Sequence, residues 1–105
     1  MKILDLPLKA QWYDMIESGE KLEEYRQIKE FWIKRLFENP SLYNIQFLFS
    51  SKIKFKNYNA IRFRYGYTKR TMLFKLKDIS IGIGNPKWGA PKEEVFILKL
   101  GNKIE

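Results

Sequence analysis

Residues 19–26 read Gly-Glu-Lys-Leu-Glu-Glu-Tyr-Arg. This octet sets Lys21, Glu24 and Arg26 close together, just after a glycine turn. Side chains of a strand alternate between its two faces. With residues 22–26 as a strand, Leu22, Glu24 and Arg26 share one face, and Lys21 leans over it from the turn. An ammonium, a carboxylate and a guanidinium then converge on one spot. Such a trio can hold a ligand: Lys21 a phosphate, Glu24 the exocyclic amine of a base, Arg26 a phosphate or a base face. It can also act, because burial lowers a lysine pKa and makes the amine a base. Glu24 works against that by favouring the charged form. A plainer account stands beside both. Most lysines are simply solvated, and Glu24 with Arg26 can be an ion pair that orders the strand.

Composition narrows the chemistry. The chain has no cysteine and no histidine. Disulfides, thiolate chemistry, the usual Cys/His zinc sites and Ser-His or Cys-His nucleophile pairs are all excluded. Proton transfer is left to Lys, Glu, Asp or Tyr. Gly82-x-Gly84 lacks the third glycine of a dinucleotide fingerprint and is read as turn geometry. No cofactor or metal is expected.

The 105 residues carry a formal net charge of +8, with a pI near 9.7. A small basic domain attracts polyanions, nucleic acid first. Further candidates follow from that charge. Arg62 and Arg64 lie on the polar side of an alternating segment, Ala60–Tyr65. Arg64 is expected in the same cleft as Arg26, with Tyr67 beside it, for phosphate contact and base stacking. Lys69 and Arg70, in the following loop, are expected to attract a backbone electrostatically. Trp88 lies in a Gly/Pro-rich loop; it either packs or offers a base-stacking platform.

The elements that must position these residues are legible in outline. Lys2–Leu6 reads as a strand that ends at Pro7. Lys9–Ser18 reads as a helix, with Leu8, Trp12, Met15 and Ile16 at helical spacing and Gly19 at its C-cap; Trp12 and Ile16 are expected in the core. Leu22–Arg26 is a short strand. Glu30–Glu38 is a second helix, apolar through Trp32, Ile33, Leu36 and Phe37, and ended near Asn39-Pro40. Ile45–Phe49 fits strand or helix. Lys52–Lys56 alternates as a strand, with Ser50-Ser51 as a turn before it. Ala60–Tyr65 and Thr71–Lys77 form an antiparallel hairpin around Gly66–Arg70. Ile79–Ile83 continues as strand, Gly84–Pro91 is a loop, and Glu94–Leu100 is the last strand. The expected fold is a single α+β domain: a small curved β-barrel of five to six mostly antiparallel strands flanked by two helices.

The pattern Gly19-x-Lys21-x-x-Glu24-x-Arg26 after an amphipathic helix resembles the signature of the ASCH family, relatives of the PUA-like RNA-binding barrels. Trp32–Leu36, Ile61–Tyr67, Ile81–Gly84 and Trp88-Gly89 are similar to segments of short bacterial and phage-associated members. The resemblance spans most of the chain apart from residues 40–58. It implies a PUA-like barrel with a cleft lined by the motif residues, and RNA binding. Some members act as amidohydrolases on N4-acetylcytidine, where the lysine matching Lys21 is catalytic, aided by a threonine and a distant glutamate. Here Glu24 stands at the threonine position.

The sequence therefore points first to a module that binds RNA or a nucleotide. An amidohydrolase using Lys21 and Glu24 is the alternative, and a protein-interaction accessory ranks third. The expected setting is cytoplasmic, since no segment approaches the ~18 apolar residues of a membrane span. A monomer or weak homodimer is expected.

Overall fold

A computed structural model describes residues 1–40 and 54–105. In these residues the alternating segments build a five-stranded mixed sheet, curled into a half-barrel, with two helices. The chain runs β1 (Ile3–Leu8), α1 (Ala10–Glu17), β2 (Glu23–Arg26), α2 (Glu30–Leu36), β3 (Ala60–Tyr65), β4 (Thr71–Ile83) and β5 (Glu94–Lys103). The strand order is β1-β3-β4-β5-β2. β1 pairs with β3 in parallel; the other pairs are antiparallel. No helix among the described residues is long and apolar enough to cross a membrane.

The concave face carries the core. Leu4, Leu6 and Leu8 meet Ile61 and Phe63, then Met72, Phe74 and Leu76, then Phe96, Leu98 and Leu100. The helices close over them with Tyr13, Ile16, Ile33 and Leu36. Each such side chain contributes ~1.5–3 kcal/mol by leaving water. A smaller cluster of Tyr25, Ala90 and Val95 sits apart from it, under the loop that follows β4.

Three differences from the sequence reading have physical causes. β1 does not stop at Pro7. The Leu8 carbonyl accepts from Gly66 N–H at 2.8 Å, so Leu8 faces β3. Pro7, one residue back, turns its backbone groups to the open edge, where a missing N–H breaks no ladder bond. Asp78, left between the expected segments Thr71–Lys77 and Ile79–Ile83, lies inside one continuous strand. Register shifts between Phe74 and Asp78 mark an irregularity of the bulge kind. It switches the inward set from Met72, Phe74 and Leu76 to Ile79 and Ile81, so a continuous strand reads as broken alternation. Finally, α1 buries Tyr13 and Ile16, while Trp12 is half-buried at the rim. Tyr13 packs edge-on against Tyr65, centroids 5.0 Å apart.

Of the expected strand Lys52–Lys56, residues 54–56 form no strand; Phe55 makes one isolated bridge, to Phe37. Residues 52 and 53, the Ser50-Ser51 turn and Ile45–Phe49 lie outside the described residues.

Candidate functional site

Curling brings the two edge strands, β1 and β2, toward each other, and the trio of the octet lies along this seam. Gly19 makes the approach. Its φ of +87° is a left-handed conformation that glycine adopts without a Cβ penalty. The turn is tied by Gly19 N–H to the Ile16 carbonyl at 3.1 Å and by Lys21 N–H to the Met15 carbonyl at 3.0 Å. It delivers Lys21 into the protein rather than onto its surface.

Glu24 lies opposite Leu98 and Arg26 opposite Phe96, both core residues, while Tyr25 lies opposite Ile97. Residues directly opposite in a sheet share a face. Glu24 and Arg26 therefore point to the concave side, and Tyr25 to the convex side.

Lys21 is 1% exposed. Its Nζ donates to the Trp88 carbonyl and pairs with Glu24 Oε1 at 3.1 Å. The rings of Trp12 and Tyr25 lie 5.0 and 4.9 Å from the same nitrogen. Removing an ammonium from water costs several kcal/mol. A carboxylate, a carbonyl and two π faces offset that cost. Burial still pushes the Lys21 pKa below its ordinary value, with Glu24 pulling in the opposite direction.

Glu24 is 5% exposed. Its Oε1 accepts the Tyr25 N–H at 2.9 Å in addition to its Lys21 contact. Its Oε2 is buried and accepts no hydrogen bond from the described residues. Arg26 Nη1 lies 3.6 Å from that oxygen, an ion-pair distance without a hydrogen bond. Arg26 Nη1 donates instead to the Tyr25 carbonyl at 2.7 Å. Arg26 Nη2 reaches the Pro7 carbonyl at 3.4 Å, across the seam. The guanidinium lies 5.2 Å from the Trp32 ring centre. All three tryptophans of the chain, Trp12, Trp32 and Trp88, thus border the trio, and all are half-buried.

The loop after β4 fixes the far wall. Pro86–Trp88 forms one turn of 3-10 helix, capped by Asn85 Oδ1 accepting from Lys87 N–H at 3.0 Å. Gly89 follows with φ +94°, and a Cβ there would meet the Trp12 ring at 2.8 Å. Tyr25 anchors the loop: its hydroxyl accepts from Asn85 N–H at 3.0 Å and donates to Glu23 Oε1 at 2.8 Å. Burial, above the other influences, pushes the Tyr25 pKa up to about 12.

The remaining candidates sit elsewhere. Arg64 is in register with Pro7 but points to the convex face, where its Nη1 donates to the Thr68 carbonyl at 3.0 Å. Tyr67 is 98% exposed at the hairpin tip, and Lys69 beside it is exposed. Arg70 pairs with Glu17 at 2.8 Å and lies against the rings of Tyr13 and Tyr65. The structure therefore joins Lys21, Glu24, Arg26 and the Trp88 backbone, and leaves Arg64, Tyr67, Lys69 and Arg70 as a separate basic tip. Among the described residues no group of three or more acids could hold a metal.

Comparisons with protein-family models, curated proteins and solved structures return no match.

Sequence reasoning missed Trp12, Tyr25 and Trp32 as walls of the site, and Pro7 as the acceptor for Arg26. Tyr25 stands inside the octet, but no local spacing links Pro7, Trp12 or Trp32 to it.

Proposed function

We propose that this chain is a nucleotide-binding module that takes a base of RNA, or of a free nucleotide, at the β1–β2 seam. The observation that carries the reading is Glu24 Oε2, a buried acceptor with no hydrogen bond. Leaving such an oxygen without a hydrogen bond costs on the order of 1–3 kcal/mol. Lys21 and the Tyr25 N–H hold Oε1, so the carboxylate is fixed with Oε2 turned toward Arg26. An exocyclic amine of cytosine, adenine or guanine supplies the missing donor once the Arg26 side chain beside Oε2 moves aside to admit it. Arg26, 18% exposed at its side chain, adds a cation for a phosphate or a base carbonyl. The half-buried tryptophans supply flat surfaces for the ring. The net charge of +8 brings the polyanion in. The ASCH resemblance supports the same reading, and with it a cytoplasmic setting where RNA and nucleotides are met.

An amide NMR titration with cytidine monophosphate tests it. Shifts should centre on Lys21, Glu24, Arg26 and Trp88 and persist at moderate salt. The pyrimidin-2-one ribonucleotide, which is cytidine monophosphate without its amine, should bind at least about tenfold more weakly. Equal binding of the two removes Glu24 Oε2 from recognition. Glu24→Gln, checked for folding by its own spectrum, should lose the same preference.

One observation favours a second reading, hydrolysis of an acylated cytosine: the lowered pKa of Lys21 beside Glu24. In that reading Lys21 takes a proton from water attacking the amide carbonyl, and Glu24 relays it to the leaving amine. Release of acetate from N4-acetylcytidine by the wild type, abolished in a folded Lys21→Ala variant, is the expected result. Turnover that survives in Lys21→Ala removes this mechanism.

A further inference from the structure

α2 turns its apolar side to the core through Ile33 and Leu36. Phe31, two residues before Ile33, falls on the opposite side of the helix and is 60% exposed. The ring is not loose. It stands edge-on to Trp32, centroids 4.9 Å apart, and the Arg35 guanidinium lies 5.8 Å from its centre. Arg35 also lies 5.6 Å from the Trp32 ring, which Arg26 approaches from the seam at 5.2 Å. The neighbouring charges are already matched: Glu30 pairs with Lys34 at 3.1 Å. Among the described residues, Arg35 has no carboxylate partner. Two aromatic rings and an unmatched guanidinium are therefore presented together, one side chain away from the seam.

We infer that Phe31, Trp32 and Arg35 form a second stacking subsite, for the nucleotide adjoining the one at the seam in a single-stranded nucleic acid. The inference rests on the seam reading and extends it from a nucleotide to a strand. Arg26 is the link, because it touches Glu24 on one side and Trp32 on the other. Phe31 stacks the second base, and Arg35 takes the phosphate between the two. The strand is single, because bases inside a duplex do not offer their faces to a side chain. Stacking tolerates any base, so this subsite adds affinity rather than sequence preference.

The test compares cytidine monophosphate with a cytidine hexanucleotide on wild type, Phe31→Ala and Phe31→Tyr. Tryptophan fluorescence reads the affinity. The hexanucleotide should bind the wild type about tenfold more tightly than the monophosphate. Phe31→Ala should lose about tenfold for the hexanucleotide and nothing for the monophosphate, while Phe31→Tyr keeps both. A hexanucleotide affinity unchanged by Phe31→Ala overturns the subsite and leaves the seam reading standing. A hexanucleotide that depends on Phe31, with no monophosphate binding, retains the platform and removes the seam reading. No binding of either ligand removes both. Sedimentation of the free protein guards against another occupant: a dimer abolished by Phe31→Ala makes this face a contact with a second copy and overturns the subsite.

Discussion

The seam and the hairpin tip use the same kind of pair, a cation on a glutamate, to opposite ends. At the seam, Lys21 and Glu24 pair at 3.1 Å with side-chain exposures of 0% and 6%. At the tip, Arg70 and Glu17 pair more closely, at 2.8 Å, with exposures of 52% and 37%. Both cations lie against two aromatic rings. The shorter pair is the weaker one to rely on, because water competes for each of its charges and salt screens them. The buried pair has no such substitute. Removing either partner leaves the other charge uncompensated in a poor solvent. Distance alone therefore ranks these two pairs wrongly; desolvation ranks them.

The largest effect that can break this contrast is on stability. Lys21→Met should destabilise the protein by ~3–5 kcal/mol, because it strands the Glu24 carboxylate. Arg70→Met should cost about 1 kcal/mol. Urea denaturation of both variants checks the pair, and equal losses would remove the contrast.

Glycines sharpen it next. Gly89→Ala drives a Cβ against the Trp12 ring from a φ of +94°. It should cost ~2–4 kcal/mol, combining overpacking with backbone strain. Gly66→Ala at the tip meets nothing within 4 Å at φ +56°, and should cost about 1 kcal/mol from its left-handed backbone alone. Thermal melts of the two variants give the difference directly.

Titration separates the two groups that build the seam. The folded Lys21 pKa is below 10.5, so the unfolded chain holds the proton longer. Stability should rise as the pH climbs from the lowered folded value toward 10.5. The folded Tyr25 pKa is about 12 against an ordinary 10.0. Its contribution is fully present below pH 10 and is lost as the pH rises toward 12. Denaturation across the alkaline range should show a rise and then a fall. Tyr25→Phe should weaken the fall selectively, and an unchanged fall would exclude Tyr25 as its source.

The smallest effect lies in binding at the tip. Lys69→Ala should lower the salt dependence of RNA binding by about one phosphate contact, uniformly across sequences. A loss of preference among bases in that variant would mean that the tip reads bases and not only charge.

The sequence by itself determined that Glu24 and Arg26 share a face, because strand alternation is a property of the local backbone. It also determined the strands at Ala60–Tyr65 and in the last segment, and the existence of both helices, since each is written in a period of two or 3.6. It carried the turn at Gly19, where chain direction depends on one residue. It did not carry the continuity of β1 through Pro7 or of β4 through its irregularity, because each depends on which neighbour a backbone group faces. Nor did it decide the state of Lys21. The carbonyl that receives Lys21 lies 67 residues away, at Trp88. The rings beside it come from α1 and β2, and the burial of Glu24 Oε2 without a hydrogen bond is a property of the folded sheet. Periodicity is local and survives in a string of residues; desolvation is set by what folds over a side chain, and only the tertiary structure supplies that.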